Sequence, residues 1–289
     1  MMNRRCFLIA GGATCAATLT HGRVVLGEDN ESPAAPSRFR SITYNVYGCQ
    51  GWPRTKENAK RLAAARPQIP ERVARELARY EPDVVTLVEA PNEPVVARIA
   101  EVMKMTYVYY PGGFPGALLT RHRVLESANR PLEQDTPDAE KLLTRHFGRA
   151  LLATPLGELR VYNVHLYPMK HAIRQSEIAA ILDVMKTDIK ANRPVLLQGD
   201  LNHMPQKPEY QQWIGAGLLD TFSIKGEGQE YTCRAAHPRM RIDYVWVHGP
   251  IADRLTECRV LFEGAFRLNP DDPTAFALSD HLPVMATFA

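Results

Sequence analysis

The sequence predicts an α/β or α+β fold, because short β-branched runs alternate with polar turns and a few amphipathic helices. The chain of 289 residues is 45% hydrophobic and 23% charged, which suffices for one sizeable core or at most two small ones. This composition excludes disordered and fibrous proteins. The sequence has no repeat of solenoid length and no low-complexity tract.

The chain begins with a predicted export signal, residues 1–27. Arg4 and Arg5 precede a short apolar run rich in Gly and Ala, and this arrangement resembles a bacterial twin-arginine signal. The run is too short for a membrane span, which needs about 20 mostly apolar residues. An ordinary amphipathic start and a lipoprotein anchor at Cys15 are the alternatives. We expect a protein exported to the periplasm or the extracellular space.

Residues 28–38 are polar and Pro-rich, as expected of a linker, and one domain is predicted over residues 39–289. The formal charge of +3 equals that of the three arginines that precede Glu28, so residues 28–289 together are neutral. A protein that binds nucleic-acid backbones in general usually carries a basic excess. The balanced charge of residues 28–289 weakens that interpretation without excluding it.

The first half of the domain is predicted to contain a strand, a helix and a second strand. Residues 40–46 and 83–89 are apolar, β-branched runs, which favour strands. Between them, Pro70 precedes apolar residues at positions 73, 74, 77 and 78. This spacing predicts a helix over residues 70–80.

The rest of the domain, from residue 116 onward, is predicted to add six strands and one long helix, because its apolar runs are short and bounded by turn residues. The predicted strands are 116–121, 148–154, 159–165, 194–198, 241–247 and 283–288, and the helix is 171–190.

Two segments have open interpretations. The basic, helix-prone segment 51–69 is either a solvated helical face or a substrate-facing insertion whose cations hold a phosphate backbone. The aromatic segment 107–114, with its Gly-Gly turn, is either a strand and turn within the fold or an exposed hairpin suited to lipid.

Five cysteines are present, of which Cys49, Cys233 and Cys258 lie in the domain. An odd number allows one disulfide and one free thiol, or no disulfide at all. No spacing of Cys and His is typical of structural zinc.

Nearly every predicted strand ends in a side chain that is able to bind a metal or move a proton. These residues are Asn45, Glu89, His165, Asp200, Asn202, Asp243, Asp280 and His281. Each one alone is more typical of a turn or a structural contact. Together they indicate a polar site, because Mg²⁺ prefers carboxylate oxygens and histidines exchange protons near neutral pH.

Six short motifs surround these residues. They are Tyr44-Asn45-Val46, Leu87-Val88-Glu89, Asn163-Val164-His165-Leu166, Gln198-Gly199-Asp200-Leu201-Asn202, Arg241-Ile242-Asp243-Tyr244 and Ser279-Asp280-His281-Leu282-Pro283-Val284. In this order the chain resembles the endonuclease/exonuclease/phosphatase family, which includes deoxyribonuclease I, abasic-site endonucleases, bacterial sphingomyelinases and inositol-polyphosphate phosphatases. The resemblance implies a four-layer sandwich, in which two mostly antiparallel β-sheets pack face to face and helices cover the outside.

For metal binding, the resemblance implies Glu89 as a ligand, supported by Asn45 and with Asp280 beside the site. Mg²⁺ is the expected cation and Mn²⁺ the alternative. The motifs depart from the family at two positions, since Val88 stands where the family commonly has Gln and Tyr47 where some nucleases have an acid. Both departures leave open whether a second metal binds.

For catalysis, the resemblance implies that Asp200 and Asn202 orient the attacking water and hold the phosphate or a second cation. His281, oriented by Asp243, and His165 would contact the scissile phosphate, as in the nuclease and sphingomyelinase branches. These groups suit an anionic phosphodiester, whose charge must be neutralised before water attacks it. Either Asp200 or His281 is the base that deprotonates the water.

We expect an exported, divalent-metal-dependent phosphoesterase that hydrolyses phosphodiester bonds, first of all a nuclease. The alternatives are a sphingomyelinase-like lipid or small-molecule phosphodiesterase, a phosphomonoesterase and, last, a noncatalytic binding protein. The expected partner is a phosphodiester substrate, either nucleic acid or a phospholipid head group. The sequence implies no stable protein partner, and we expect a monomer.

Overall fold

The computed structural model describes residues 38–129 and 142–289. The predicted export signal and residues 28–37 of the predicted linker lie outside the described residues. The described residues form the strands β1 (Phe39–Asn45), β2 (Val84–Val88), β3 (Thr106–Tyr110), β4 (Gly116–Thr120), β5 (Arg123–Asn129), β6 (His146–Thr154), β7 (Gly157–His165), β8 (Val195–Asp200), β9 (Leu219–Asp220), β10 (Gly226–Glu227), β11 (Asp243–His248), β12 (Leu255–Val260) and β13 (Val284–Phe288). They also form the helices α1 (Ala59–Ala65), α2 (Ile69–Ala78), α3 (Glu93–Met103), α4 (His171–Lys190), α5 (Pro208–Gly215) and α6 (Thr221–Lys225).

The strands belong to two sheets. Sheet 1 has the order β10-β12-β13-β1-β2-β4-β3, and sheet 2 has the order β5-β6-β7-β8-β11-β9. Three neighbouring pairs are parallel, namely β1–β2, β7–β8 and β10–β12, and the others are antiparallel. The expectation of two mostly antiparallel sheets is therefore confirmed.

Two hydrophobic cores hold four layers together. The larger core joins apolar residues of both sheets with the buried faces of α2 and α3, and includes Ile42, Val73, Leu87, Ile99, Val161 and Leu196. The second core joins sheet 2 with α4 and α5, and includes Tyr162, Ile178, Trp213 and Trp246. Both faces of each central strand are buried, which explains why these strands are continuous apolar runs in the sequence.

Two buried carboxamides connect the sheets near their strand ends. The Gln198 side chain of β8 accepts a hydrogen bond from Ser41 Oγ at 2.7 Å and donates one to Thr86 Oγ1 at 2.9 Å. Asn163, the neighbour of Gln198 in the β7–β8 register, donates to the backbone oxygens of Leu87 and Ala117, at 3.1 and 3.0 Å. All these partners belong to sheet 1, so polar contacts fix how the sheets align.

The eight predicted strands and both predicted helices are present, with ends shifted by a few residues. Helix α2 has Pro70 in its first turn and buries Val73, Ala74 and Leu77, as the spacing predicts. The elements absent from the prediction are α3, α5, α6, β5, β9, β10 and β12. Strand β5 is mostly exposed along its length, so its sequence lacks the apolar run by which a strand is recognised.

Both segments with open interpretations contain regular secondary structure. Segment 51–69 contains α1, which buries Leu62 and leaves its basic side chains exposed. Within segment 107–114, β3 pairs with β4, and Phe114 in the following turn is 43% exposed. Cys49, Cys233 and Cys258 are buried free thiols.

No helix within residues 38–129 and 142–289 is long and apolar enough to cross a membrane.

Candidate active site

The register of sheet 1 places Asn45 beside Glu89. Strands β1 and β2 are parallel, and Asn45 at the end of β1 faces Val88 at the end of β2. Glu89 follows with a φ of +48°, in the left-handed region that turns the chain away from the strand. The Asn45 side-chain Nδ2 lies 3.4 Å from Glu89 Oε1.

The register of sheet 2 places three further predicted residues side by side. His165 on β7 faces Asp200 on the parallel strand β8, and Asp200 faces Asp243 on the antiparallel strand β11. The Nε2 atom of His165 lies 3.7 Å from Asp200 Oδ2. All three side chains are buried.

Asp200 is the point where the two groups meet. Its Oδ2 atom accepts a hydrogen bond from Asn45 Nδ2 of sheet 1 at 3.1 Å and lies 3.8 Å from His281 Nε2. His281 is held by its other ring nitrogen, since Nδ1 lies 2.8 Å from Asp243 Oδ2. A carboxylate in this position fixes the imidazole orientation and leaves Nε2 facing Asp200.

Asn202 and Asp280 lie at the edge of this group. The Asn202 backbone N–H donates to Asp200 Oδ1 at 3.0 Å, and its side chain donates to Leu166 O at 2.9 Å. Asp280 is half-buried, and Ser279 Oγ lies 3.4 Å from its Oδ1. Burial raises the pKa of Glu89, and the charge of Asp280 adds to that effect.

Arg145 is a site residue that the sequence analysis did not single out. Its Nη1 atom lies 2.9 Å from His165 Nε2 and 3.8 Å from Glu89 Oε1, and its guanidinium carbon lies 4.1 Å from the Phe114 ring centroid. Arginine only donates hydrogen bonds, so His165 Nε2 accepts and the imidazole proton lies on Nδ1. No sequence motif marks Arg145, because its position depends on contact with the Phe114 ring, which lies in the turn after β3 and is far from Arg145 in the sequence.

Glu177 on α4 anchors the loops that carry Arg145 and His165. Its buried carboxylate accepts hydrogen bonds from the backbone N–H groups of Leu143 at 2.9 Å and Tyr167 at 2.8 Å. Leu143 and Tyr167 each stand two residues from one of the two site residues. A single side chain therefore sets the spacing of Arg145 and His165.

Burial and neighbouring charges shift the pKa values of the site. Burial raises the pKa of Asp200, and Asp243 raises it further. Burial lowers the pKa of His165 well below its ordinary value, and Arg145 adds to that effect. Burial alone lowers the pKa of His281, but the Asp243 carboxylate and smaller contributions raise it well above the ordinary value.

The side chains at this junction fit a divalent cation. The Asn45 amide joins the carboxylates of Glu89 and Asp200, and ligand atoms of Asp200, Asp243 and His281 all lie within 4.8 Å of one another. Asp243 Oδ1 is buried without a hydrogen-bond partner among the described residues. Mg²⁺ is typically held by one or two such carboxylates and keeps several waters.

Solved structures share this fold at low sequence identity. An endonuclease/exonuclease/phosphatase family protein from Bacteroides thetaiotaomicron has a TM-score of 0.66 at 17% identity, over 87% of this chain and 97% of its own. A mannosyl-6-phosphatase from the same organism has a TM-score of 0.66 at 16% identity, over 86% and 98%. Truncated TDP2 from Caenorhabditis elegans has a TM-score of 0.61 at 16% identity, over 87% and 97%.

Sequence comparison agrees with these structures. The protein YbhP from Escherichia coli is 26% identical over 194 residues, which cover 65% of this chain and 70% of YbhP. The family model of the endonuclease/exonuclease/phosphatase family matches residues 42–281, which include every predicted site residue. The chain therefore belongs to the endonuclease/exonuclease/phosphatase family, whose members are phosphoric ester hydrolases and usually use divalent metals.

Proposed function

We propose that the protein is an exported, Mg²⁺-dependent phosphodiesterase that cleaves nucleic acid. The observation that carries this proposal is the environment of Asp200 Oδ2, which faces Asn45, His165 and His281 at 3.1 to 3.8 Å. One carboxylate oxygen surrounded by an amide and two imidazoles suits the activation of a water molecule. Arg145, beside His165, supplies a cation for the phosphate.

The residues divide the work of hydrolysis between them. The two imidazole nitrogens lie too far from Asp200 Oδ2 for a direct hydrogen bond, and such gaps are commonly bridged by water. A water held between His281 Nε2 and Asp200 Oδ2 is oriented by the His281 imidazole, and Asp200 takes its proton. His281, fixed by Asp243, then donates a hydrogen bond to a phosphate oxygen.

The cation belongs on Glu89 and Asn45, where Mg²⁺ is the proposed ion and Mn²⁺ the substitute. When bound, such an ion neutralises negative charge on the phosphate oxygens. Glu89 is only partly buried, so water and substrate have access to it.

Two observations support the substrate class and the location. An Arg4-Arg5 pair before a short apolar run is typical of a twin-arginine signal, and an exported enzyme encounters extracellular nucleic acid. The cations of segment 51–69 are exposed, as a backbone-binding surface requires. We propose a monomer without a protein partner.

A phosphomonoesterase is the second candidate, and Arg145 favours it. A guanidinium binds two oxygens of one phosphate group at once, and a terminal phosphate offers more such oxygens than a diester. The mannosyl-6-phosphatase with the same fold is consistent with this alternative.

The test is nicking of supercoiled plasmid by the full chain in Mg²⁺ and in EDTA. We expect nicking that requires the metal and that His281→Ala abolishes, because the imidazole that contacts the phosphate is then missing. His171→Ala, which removes an exposed histidine at the start of α4, is the matched control and should nick like the wild type.

An intact plasmid, from a preparation that is folded and hydrolyses p-nitrophenyl phosphate with metal, would reject the nuclease in favour of the phosphomonoesterase. Equal nicking by wild type and His281→Ala would assign the activity to a contaminant.

A further inference from the structure

A small cationic pocket lies on the surface beside the active site. It has a volume of about 300 Å³ and is lined by Arg54, Lys56 and Arg66 together with Thr55, Ala59 and Leu62. The volume is at the lower end of that of small-molecule sites, which is enough for one nucleotide unit. Apolar side chains thus form part of the lining, and three cations complete it.

The charges of this pocket are not neutralised by the protein. Within the described part of the chain, Lys56 and Arg66 have no carboxylate partner, whereas the neighbouring Arg61 is paired with Asp272 at 3.1 Å. Glu57 is the single acid of residues 51–68, and within the described residues it forms no ion pair with either cation. Unpaired cations around a concave surface favour an anionic ligand.

The pocket is connected to the active site through Tyr47. The Arg54 Nη2 atom donates to Tyr47 Oη at 3.3 Å, and the guanidinium lies 5.8 Å from the Tyr47 ring centroid. The Tyr47 backbone N–H in turn donates to Asn45 Oδ1 at 3.1 Å. A strand whose scissile phosphate lies at Asn45 therefore reaches Arg54 by passing over Tyr47.

We propose that this pocket binds the phosphate group next to the scissile one on a nucleic-acid strand. The inference rests on the proposed nuclease function and names how the strand is held. Lys56 and Arg66 contact the phosphate, the sugar packs on Ala59 and Leu62, and the adjoining base stacks on Tyr47 and Arg54, as bases do in other single-strand grooves.

The experiment compares the full-length wild type with Lys56→Gln/Arg66→Gln and with the matched control Lys186→Gln/Lys225→Gln. The control removes two exposed cations from α4 and α6. Two substrates are used, a single-stranded oligonucleotide and bis(p-nitrophenyl) phosphate, which has one phosphate only. Binding of a labelled oligonucleotide is measured separately by fluorescence anisotropy over a range of salt concentrations, without turnover, in EDTA.

We expect Lys56→Gln/Arg66→Gln to raise the ratio of oligonucleotide KM to small-ester KM about tenfold and to weaken oligonucleotide binding. The dependence of log Kd on log salt should also fall by about 1 per lost contact. The control variant should match the wild type in both measurements. The unfolding temperatures of both variants, each compared with the wild type, show whether either is misfolded.

The two hypotheses fail in different ways. If the wild type cleaves the oligonucleotide but the pocket variant has the same KM ratio and salt dependence, the pocket is not a phosphate subsite. If the wild type cleaves no nucleic acid, the nuclease function is wrong and the pocket is no subsite of it. Weaker oligonucleotide binding by the pocket variant would then still show that the pocket binds phosphate. If the pocket variant binds and cleaves the oligonucleotide as the wild type does, the proposed phosphate subsite is wrong and the nuclease function stands.

Discussion

Asp200 is the residue on which the site is centred, because both sheets reach it. Asn45 and His281 approach it from the strands of sheet 1 and their extensions, and His165 and Asp243 flank it in sheet 2. Removing any one neighbour leaves a buried carboxylate with fewer partners, which is costly. We therefore expect substitutions around Asp200 to destabilise the fold.

Arg145→Gln tests the phosphate-binding role of the guanidinium. We expect kcat/KM to fall about 100-fold, the loss typical when one preorganised donor is removed, and to fall further for a phosphomonoester than for a diester. The measurement is steady-state kinetics on p-nitrophenyl phosphate and bis(p-nitrophenyl) phosphate. Arg123→Gln, an exposed arginine on β5, is the control, and equal kinetics in both variants would contradict the role.

The sequence predicted the polar residues at the strand ends, but not how they meet. Asn45, Glu89 and Asp200 are recognisable because they follow apolar runs within known motifs. Arg145 was missed because its position depends on stacking with Phe114 and on the Glu177 anchor. Such contacts between distant segments leave no pattern in a local window.

At the scale of elements, local sequence patterns predicted the strands but not their order or register in the sheets. Periodicity predicted β7, β8 and β11, yet nothing in it shows that His165, Asp200 and Asp243 are direct neighbours. The parallel β7–β8 pair is the decisive element, since both strands then end at the same edge. The helices of the outer layers were predicted where their apolar spacing was regular, as in α2.

Gly199 in β8 is required by this close pairing, and Gly199→Ala tests it. A Cβ atom there would lie 1.9 Å from Val164 O, and the φ of +144° is one that L side chains rarely adopt. We expect the free energy of unfolding to fall by about 3 kcal/mol or more, measured by denaturant titration. Gly215→Ala is the matched control, because nothing lies within 4 Å of its Cβ position, and a similar loss there would refute the steric argument.

At the scale of the whole molecule, the buried His203 links stability to pH. Its Nε2 accepts a hydrogen bond from Trp213 Nε1 at 3.1 Å, which requires the neutral ring, and burial lowers the pKa of His203 to about 4. The unfolded chain binds a proton near pH 6.5. Between these values the unfolded state binds more protons than the folded state. The contribution of neutral His203 to the free energy of unfolding is therefore fully present above about pH 6.5 and is lost as the pH falls toward 4.

We expect His203→Gln to reduce this loss by on the order of 3 kcal/mol between pH 6.5 and 4, because the amide oxygen still accepts from Trp213 and does not titrate. The measurement is the free energy of unfolding of both proteins across that range. Parallel pH curves for wild type and variant would show that His203 does not contribute.

Gln198 and Asn163 stand two residues before Asp200 and His165, so in each strand the carboxamide and the site residue share one face. The hydrogen bonds that join the two sheets therefore also help to position the side chains of Asp200 and His165. A folding intermediate whose strands have formed, but whose two sheets are still separated by water, would therefore have no activity. The time course of recovered activity during refolding would then report when that water is expelled.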